Sequence, residues 1–130
     1  MKEITKENIV EYSPLSLASI GDGVHTLFVR EILLKSTNIL ANKLHLQASK
    51  MCCAKKQSEV FDLVFENLTE EEKAVALRAR NHKTHAVKSS SQIEYKKATA
   101  FEAVVGYLYL TKQNERLEWL LKKSTEENLW

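Results

Sequence analysis

The stretch Leu15-Ser16-Leu17-Ala18-Ser19-Ile20-Gly21-Asp22-Gly23-Val24-His25-Thr26-Leu27-Phe28 decides the fold class and also opens the search for a site. Leu17, Ile20, Val24, Leu27, Phe28 and, further on, Ile32 recur at spacings of three and four, the period of one apolar stripe on an α-helix. That spacing predicts a helix from about Leu15 to Lys35, with Pro14 suited to its entrance because the first helical residue needs no amide donor. In the middle of this helix an acid sits between two glycines. Glycine inside a helix costs on the order of 1 kcal/mol relative to alanine, so Gly21 and Gly23 imply something in return, such as the close approach of another backbone or of a ligand.

Outward from this segment the rest of the chain also reads as helices. After a linker at Ser36 to Asn38, an apolar stretch from Ile39 to Ser49 keeps Leu40, Leu44 and Ala48 in step, and Lys50 to Asn67 carries Val60, Phe61, Val64 and Phe65. Thr69 followed by Glu72 is the pairing of a capping box, which starts a helix running to about Arg80 with Val75 and Leu77 on its apolar side. The run Glu70, Glu71 and Glu72 suits the positive end of that helix dipole. From Asn81 to Gln92 the period is lost in His, Lys, Thr and Ser, which predicts an exposed loop. A long helix over about Ile93 to Lys112 follows, with Phe101, Val104, Val105 and Leu108 as its stripe, and a last one over Asn114 to Lys123 carries Leu117, Leu120 and Leu121. With three glycines and one proline in 130 residues, the chain lacks the turn signals of a many-stranded sheet. The expectation is an all-α single domain over residues 1–130, with no internal repeat.

Charge is informative by position and not in total. The net value is +2, yet Asn42 to Ser58 holds Lys43, Lys50, Lys55 and Lys56 and no acid, while Arg78 to Lys97 sets Arg78, Arg80, Lys83, Lys88, Lys96 and Lys97 against Glu94 alone. Adjacent Cys52 and Cys53 disfavour an ordinary structural disulfide, which fits a reducing compartment. No apolar stretch reaches the roughly 18 residues of a membrane span, and the N-terminus lacks the basic-then-apolar order of a signal peptide. A soluble, cytoplasmic protein without a membrane partner is expected.

Two acids have unusually small neighbours. Asp22 has Ala18 one turn before it and Thr26 one turn after it; Glu102 has Ala98 and Gly106 in the same relation. Helices packed through small residues come closer than the usual ~8–10 Å between axes, close enough for both carboxyls to share one site. Crowded carboxylates repel, and a hard divalent cation such as Mg2+ or Mn2+ relieves the repulsion while still accepting phosphate oxygens. Spacing alone leaves open that both are acids on solvent faces. His82 and His85 are spaced like half of a zinc site with no second half, and at helical spacing Tyr107, Tyr109 and Trp119 read as packing residues more readily than as stacking platforms for bases, to which Trp130 is a further candidate.

The run Leu17-Ala18-Ser19-Ile20-Gly21-Asp22-Gly23-Val24 resembles the signature helix of ribonuclease III catalytic domains, and Ala98-Thr99-Ala100-Phe101-Glu102-Ala103-Val104-Val105-Gly106-Tyr107-Leu108-Tyr109-Leu110 resembles the second metal-binding helix of that fold. Between them Arg78-Ala79-Arg80-Asn81, with Lys83 and Tyr95, resembles a basic stretch of the Mini-ribonuclease III branch, which lacks a separate double-stranded RNA-binding domain. The resemblance implies a ribonuclease III-like helical bundle and a metal-dependent endoribonuclease acting on double-stranded RNA. It implies Asp22 and Glu102 as catalytic metal ligands for Mg2+, with Mn2+ as a substitute, and hydrolysis leaving 5′-phosphate and 3′-hydroxyl ends. It further implies a homodimer, and a role in maturing precursor ribosomal RNA of the large subunit, with a ribosomal protein as a candidate partner that presents the RNA. Arg78, Arg80, Asn81, Lys83, Lys88, Lys50, Lys55 and Lys56 are the candidate RNA-binding residues, Arg78, Arg80 and Lys83 foremost. Where the larger relatives carry further acids, this chain has Leu15, Ala18 and Thr99. These departures keep a non-catalytic RNA-binding or ribosome-associated module as the alternative, and a helical interaction protein without RNA as a third.

Overall fold

Pro14 opens the first long helix, α1 (Pro14–Thr37), and Asn38, in the left-handed region at φ 46°, closes it. An asparagine there is one of the common helix stops. The structure, a computed structural model, describes residues 1–82 and 91–126. After a short 3-10 turn (Ile9–Glu11) and α1 come α2 (Ala41–Met51), α3 (Ala54–Val64), a second 3-10 turn (Phe65–Asn67), α4 (Glu70–Arg80), α5 (Ser91–Leu110) and α6 (Asn114–Lys123). Every regular element among the described residues is helical. The expected segment from Lys50 to Asn67 is thus shorter than its apolar spacing predicts, because Cys52 and Cys53 break it from α2 and its last turn tightens to 3-10 geometry. Of the loop expected over Asn81 to Gln92, Ser91 and Gln92 already belong to α5, and residues 83–90 lie outside the described residues.

The helix at the centre is α5, which packs against α1, α3, α4 and α6. Its run from Ala98 to Leu108 is buried at every position except Glu102, and a helix that is apolar all round belongs inside a bundle. Phe101, Val104, Val105, Tyr107 and Leu108 join Leu17 of α1, Val60, Phe61 and Val64 of α3, Val75, Ala76 and Ala79 of α4, and Leu120 and Leu121 of α6 in one core. A smaller cluster of Val29, Leu33, Ala48 and Met51 fastens α2 to the outer half of α1.

The capping box forms as its residues predict: Thr69 Oγ1 accepts from the Glu72 amide at 3.1 Å and Glu72 Oε1 accepts from the Thr69 amide at 3.0 Å. The same buried carboxylate receives Arg116 of α6 through Nε at 2.9 Å and Nη2 at 2.7 Å. Arg116 also donates to the Asn67 carbonyl and lies over the Trp119 ring, so one guanidinium ties α6 to the start of α4. Charge-assisted bonds of this paired kind are what allow a carboxylate to be buried.

The inward face of α1 differs from the single stripe its large apolar residues predict. Leu17, Ala18, Gly21, His25, Val29 and Leu33 are buried, whereas Ile20 is 41% and Leu27 69% exposed. The small residues point inward because α5 meets α1 backbone to backbone: a Cβ placed on Gly21 would overlap the Glu102 carbonyl, and one placed on Gly106 would overlap the Leu17 carbonyl. A Cβ placed on Gly23 would meet nothing within 4 Å beyond its own helix, among the described residues. Of the two glycines around Asp22, then, Gly21 is explained by close approach within the chain and Gly23 is not.

Candidate active site

The glycine contact sets the geometry around Asp22 and Glu102. Gly21 rests on the carbonyl of Glu102 itself, so the residue next in sequence, Asp22, is delivered beside the Glu102 side chain at the point of closest approach of α1 and α5. Both carboxyls line one open cleft of about 420 Å³, together with Leu15, Ala18, Ser19, Tyr95 and Thr99. Asp22 is exposed at the mouth and Glu102 is half-buried behind it.

Burial, and then the Asp22 carboxyl within hydrogen-bonding reach, push the Glu102 pKa up to about 8 from an ordinary 4.5, while the Gln57 amide pulls the other way. Two acids pressed together while partly dehydrated cannot easily both be charged, so at neutral pH Glu102 favours its protonated form, and a cation would relieve the same repulsion. All the donors here are hard carboxyl oxygens, the type that Mg2+ and Mn2+ take. Among the described residues no cluster of three or more His, Cys, Asp or Glu side chains is arranged to hold a metal, so water and substrate oxygens would have to complete a coordination shell on this pair. Cys52 stands close by, but burial raises its thiol to about 11, which keeps it protonated and unsuited to a nucleophile or an ordinary ligand.

This pair carries a pH signature of determinate sign. Between about 4.5 and 8 the folded protein holds the Glu102 proton and the unfolded chain does not, so the metal-free fold loses stability as pH rises through that window. A cation binding the pair must displace that proton, so metal affinity rises with pH over the same range. Calorimetric titration of Mn2+ at pH 7 in buffers of different ionisation enthalpy is expected to read release of about one proton per site. Glu102→Gln should release none.

The positions at which larger ribonuclease III domains have additional acids, Leu15, Ala18 and Thr99, all line the same cleft. Apart from the two acids its walls are therefore neutral among the described residues, and Tyr95, which belongs to the basic stretch, also faces it. Two residues that sequence reasoning missed stand behind Glu102. His25 is buried with its pKa lowered to about 4 by that burial, against the raising effect of Asp22, and is therefore neutral. Gln57, buried in the first turn of α3, reaches both His25 and Glu102. For His25 a signal existed in its place one turn after Asp22 on the same helix; for Gln57, on another helix, there was none.

The candidate RNA-binding residues are distributed unevenly. Lys50 on α2 and Lys55 in the first turn of α3 are exposed and Lys56 is half-buried; Lys56 directly precedes Gln57, which places this basic turn next to the element that touches Glu102. Arg80 lines a second depression with Lys97, Asp62, Glu66, Phe61 and Phe65, where Asp62 pairs with Lys97 at 2.9 Å. Asn81 caps α4 and is exposed. Arg78 donates to the Val10 carbonyl at 2.8 Å and the Ile9 carbonyl at 3.2 Å, so its guanidinium holds the N-terminal segment onto α4. Lys83, Lys88, His85 and Trp130 lie outside the described residues. Tyr107 and Trp119 are packing residues, buried and half-buried, while Tyr109 is exposed.

Residues 15–113, which contain both acids and both contact glycines, match the family model of the ribonuclease III domain. The chain belongs to the Mini-ribonuclease III branch of the ribonuclease III family. It is 39% identical to the Mini-ribonuclease 3 of Thermoanaerobacter sp. over 95% of this chain and 87% of that one. It is likewise 41% identical to the Mini-ribonuclease 3 of Symbiobacterium thermophilum over 92% of each. A crystal structure of a Fusobacterium nucleatum protein superimposes with a TM-score of 0.78 at 33% identity, covering 88% of this chain and 93% of that one. The all-helical ribonuclease III bundle expected from the sequence is the fold observed. No helix among the described residues is long and apolar enough to cross a membrane.

Proposed function

We propose that this Mini-ribonuclease III family member is an endoribonuclease that hydrolyses double-stranded RNA with a divalent cation, Mg2+ or Mn2+, held by Asp22 and Glu102. The observation that carries the reading is the delivery of these two acids to one cleft by the Gly21 and Gly106 backbone contact. When bound, the cation supplies charge neutralisation at a phosphate and a lowered pKa for attacking water. The chain's own part is to bind and orient. Asp22 at the mouth and Glu102 behind it present oxygens toward the cleft, and the neutral walls add no further repulsion toward a phosphodiester. Products with 5′-phosphate and 3′-hydroxyl ends follow from attack at phosphorus with departure of the 3′ oxygen.

Duplex RNA is read mainly through phosphates and 2′-hydroxyls, which suits the basic turn of Lys50, Lys55 and Lys56 and the Arg80 depression, and gives Lys83 and Lys88 the same role. The exposed outer face of α1, with Ile20, Leu27 and Leu34 one heptad apart and Gly23 open, fits a second copy of the chain, as does a shallow depression shared with Tyr109. Two sites about a two-fold axis can address both strands of a duplex. Sedimentation at low micromolar concentration is expected to give a dimer, and Leu27→Glu a monomer. The natural duplex we assign is the precursor of large-subunit ribosomal RNA, presented with or without a ribosomal protein, processed by a cytoplasmic enzyme whose single catalytic domain spans residues 1–130.

Incubating purified protein with duplex RNA and Mg2+ is expected to give cleavage that EDTA stops. Binding with no cutting under any divalent ion would instead favour a non-catalytic RNA-binding module, the reading to which the neutral Leu15, Ala18 and Thr99 lend weight. Arg80→Ala is expected to weaken duplex binding several-fold and to lower its dependence on salt, with thermal stability unchanged. Unaltered affinity removes Arg80 from the RNA surface.

A further inference from the structure

Behind Glu102 a chain of buried polar groups runs from the cleft to the end of α6. Gln57 Nε2 donates to Glu102 Oε2 at 3.4 Å and lies 3.1 Å from Nδ1 of His25. His25 Nε2 is 3.1 Å from Ser124 Oγ, and the Ser124 hydroxyl donates to the Leu121 carbonyl. Four separate parts of the sequence meet here, in α1, α3, α5 and the turn after α6.

The hydrogens in this chain have one consistent arrangement. Ser124 spends its proton on Leu121, so toward His25 it can only accept, and the imidazole must carry its hydrogen on Nε2. Nδ1 is then a lone pair, matched by one N–H of the Gln57 amide, and the second N–H goes to Glu102. Turning the amide over would set its carbonyl against a lone pair on one side and a carboxyl oxygen on the other. The ring is fixed in turn by edge-on packing against Phe101, with centroids 5.0 Å apart. Gln57 is therefore held as a donor toward Glu102, an acceptor that strengthens once the carboxyl gives up its proton.

On the reading of Asp22 and Glu102 as ligands, we infer that Gln57, oriented by His25, is a positioning residue that pins Glu102 through Oε2 and so fixes the carboxyl for the cation it would hold with Asp22. Outer partners of this kind orient metal ligands and tune their affinity. His25 acts only through Gln57, and Ser124 only through His25.

The test is Mn2+ binding to RNA-free protein, read from the free-ion paramagnetic resonance signal, alongside thermal unfolding. Gln57→Leu keeps the bulk of the side chain without its donors, and is expected to weaken Mn2+ binding about tenfold. His25→Leu should do the same, and the double variant should bind no more weakly than either single one, since both changes cut the same chain. A purely structural role would lower the melting temperature and leave the Mn2+ affinity at its wild-type value, which overturns the inference, as would two losses that multiply. Gln57→Met serves the same purpose if the leucine variant does not fold. Asp22→Asn is run beside them: if it loses Mn2+ while Gln57→Leu and Gln57→Met do not, only the positioning role fails, and if it too binds as wild type, the metal site itself is misassigned.

Discussion

Glu102→Gln and Asp22→Asn are each expected to lower the rate of duplex cleavage by well over the ~10–100-fold that loss of an outer partner of a metal ligand costs. Each substitution keeps shape and removes one of two carboxyls around which, among the described residues, no larger metal-holding cluster is built. The two variants should differ in stability. Glu102 is half-buried and its carboxyl is pushed up to about 8, so in metal-free protein at pH 8 a neutral glutamine relieves an unfavourable charge. Glu102→Gln should then be inactive and at least as heat-resistant as the wild type, a separation of activity from stability common where a site is strained for function. Single-turnover cleavage of a labelled duplex at saturating Mg2+, with unfolding followed in EDTA, measures both. Cleavage at the wild-type rate in either variant would sink the assignment of that residue.

Gly21→Ala and Gly106→Ala should produce the largest losses of stability of any single methyl group added to this chain. Adding that methyl places carbon on the carbonyl of the facing helix, at Glu102 for Gly21 and at Leu17 for Gly106, and a backbone carbonyl cannot rotate away as a side chain can. Overpacking of well-ordered interiors costs roughly 1–3 kcal/mol and sometimes more, and contact of main chain with main chain belongs at the top of that range. Separating α1 from α5 also separates Asp22 from Glu102, so cleavage should fall even in the folded fraction. Gly23→Ala is the internal comparison, because among the described residues no atom outside the helix's own backbone lies within 4 Å of its added carbon. There the helix propensity gained is up to about 1 kcal/mol, and the fold should become more stable. Denaturant unfolding of the three variants tests the contrast; equal stability of Gly21→Ala and Gly23→Ala would contradict the close approach.

Most of the fold could be read along the chain because helices are local. Thr69 and Glu72 are three residues apart and form their capping box in place, and Phe101, Val104, Val105 and Leu108 repeat at the helical period and are buried. The exception within α1 is instructive. Ile20 and Leu27 have the right period for burial and are exposed, because period identifies a stripe without saying which of two stripes the neighbour takes. The stripe with Ala18 and Gly21 faces inward, since Gly21 admits the backbone of α5 at Glu102.

By itself the sequence determined the helical class, the helix order and the pair of acids set among small residues, all of which depend on neighbours within a turn or two. Only the tertiary structure decided that Asp22 and Glu102 share a cleft, that Arg78 is engaged with the N-terminal segment and that Gln57 and His25 stand behind Glu102. Those relations join residues dozens of positions apart, whose distance is fixed by how closely two backbones pack and by where buried hydrogen-bonding groups find partners, and neither quantity is written in the spacing of a single helix.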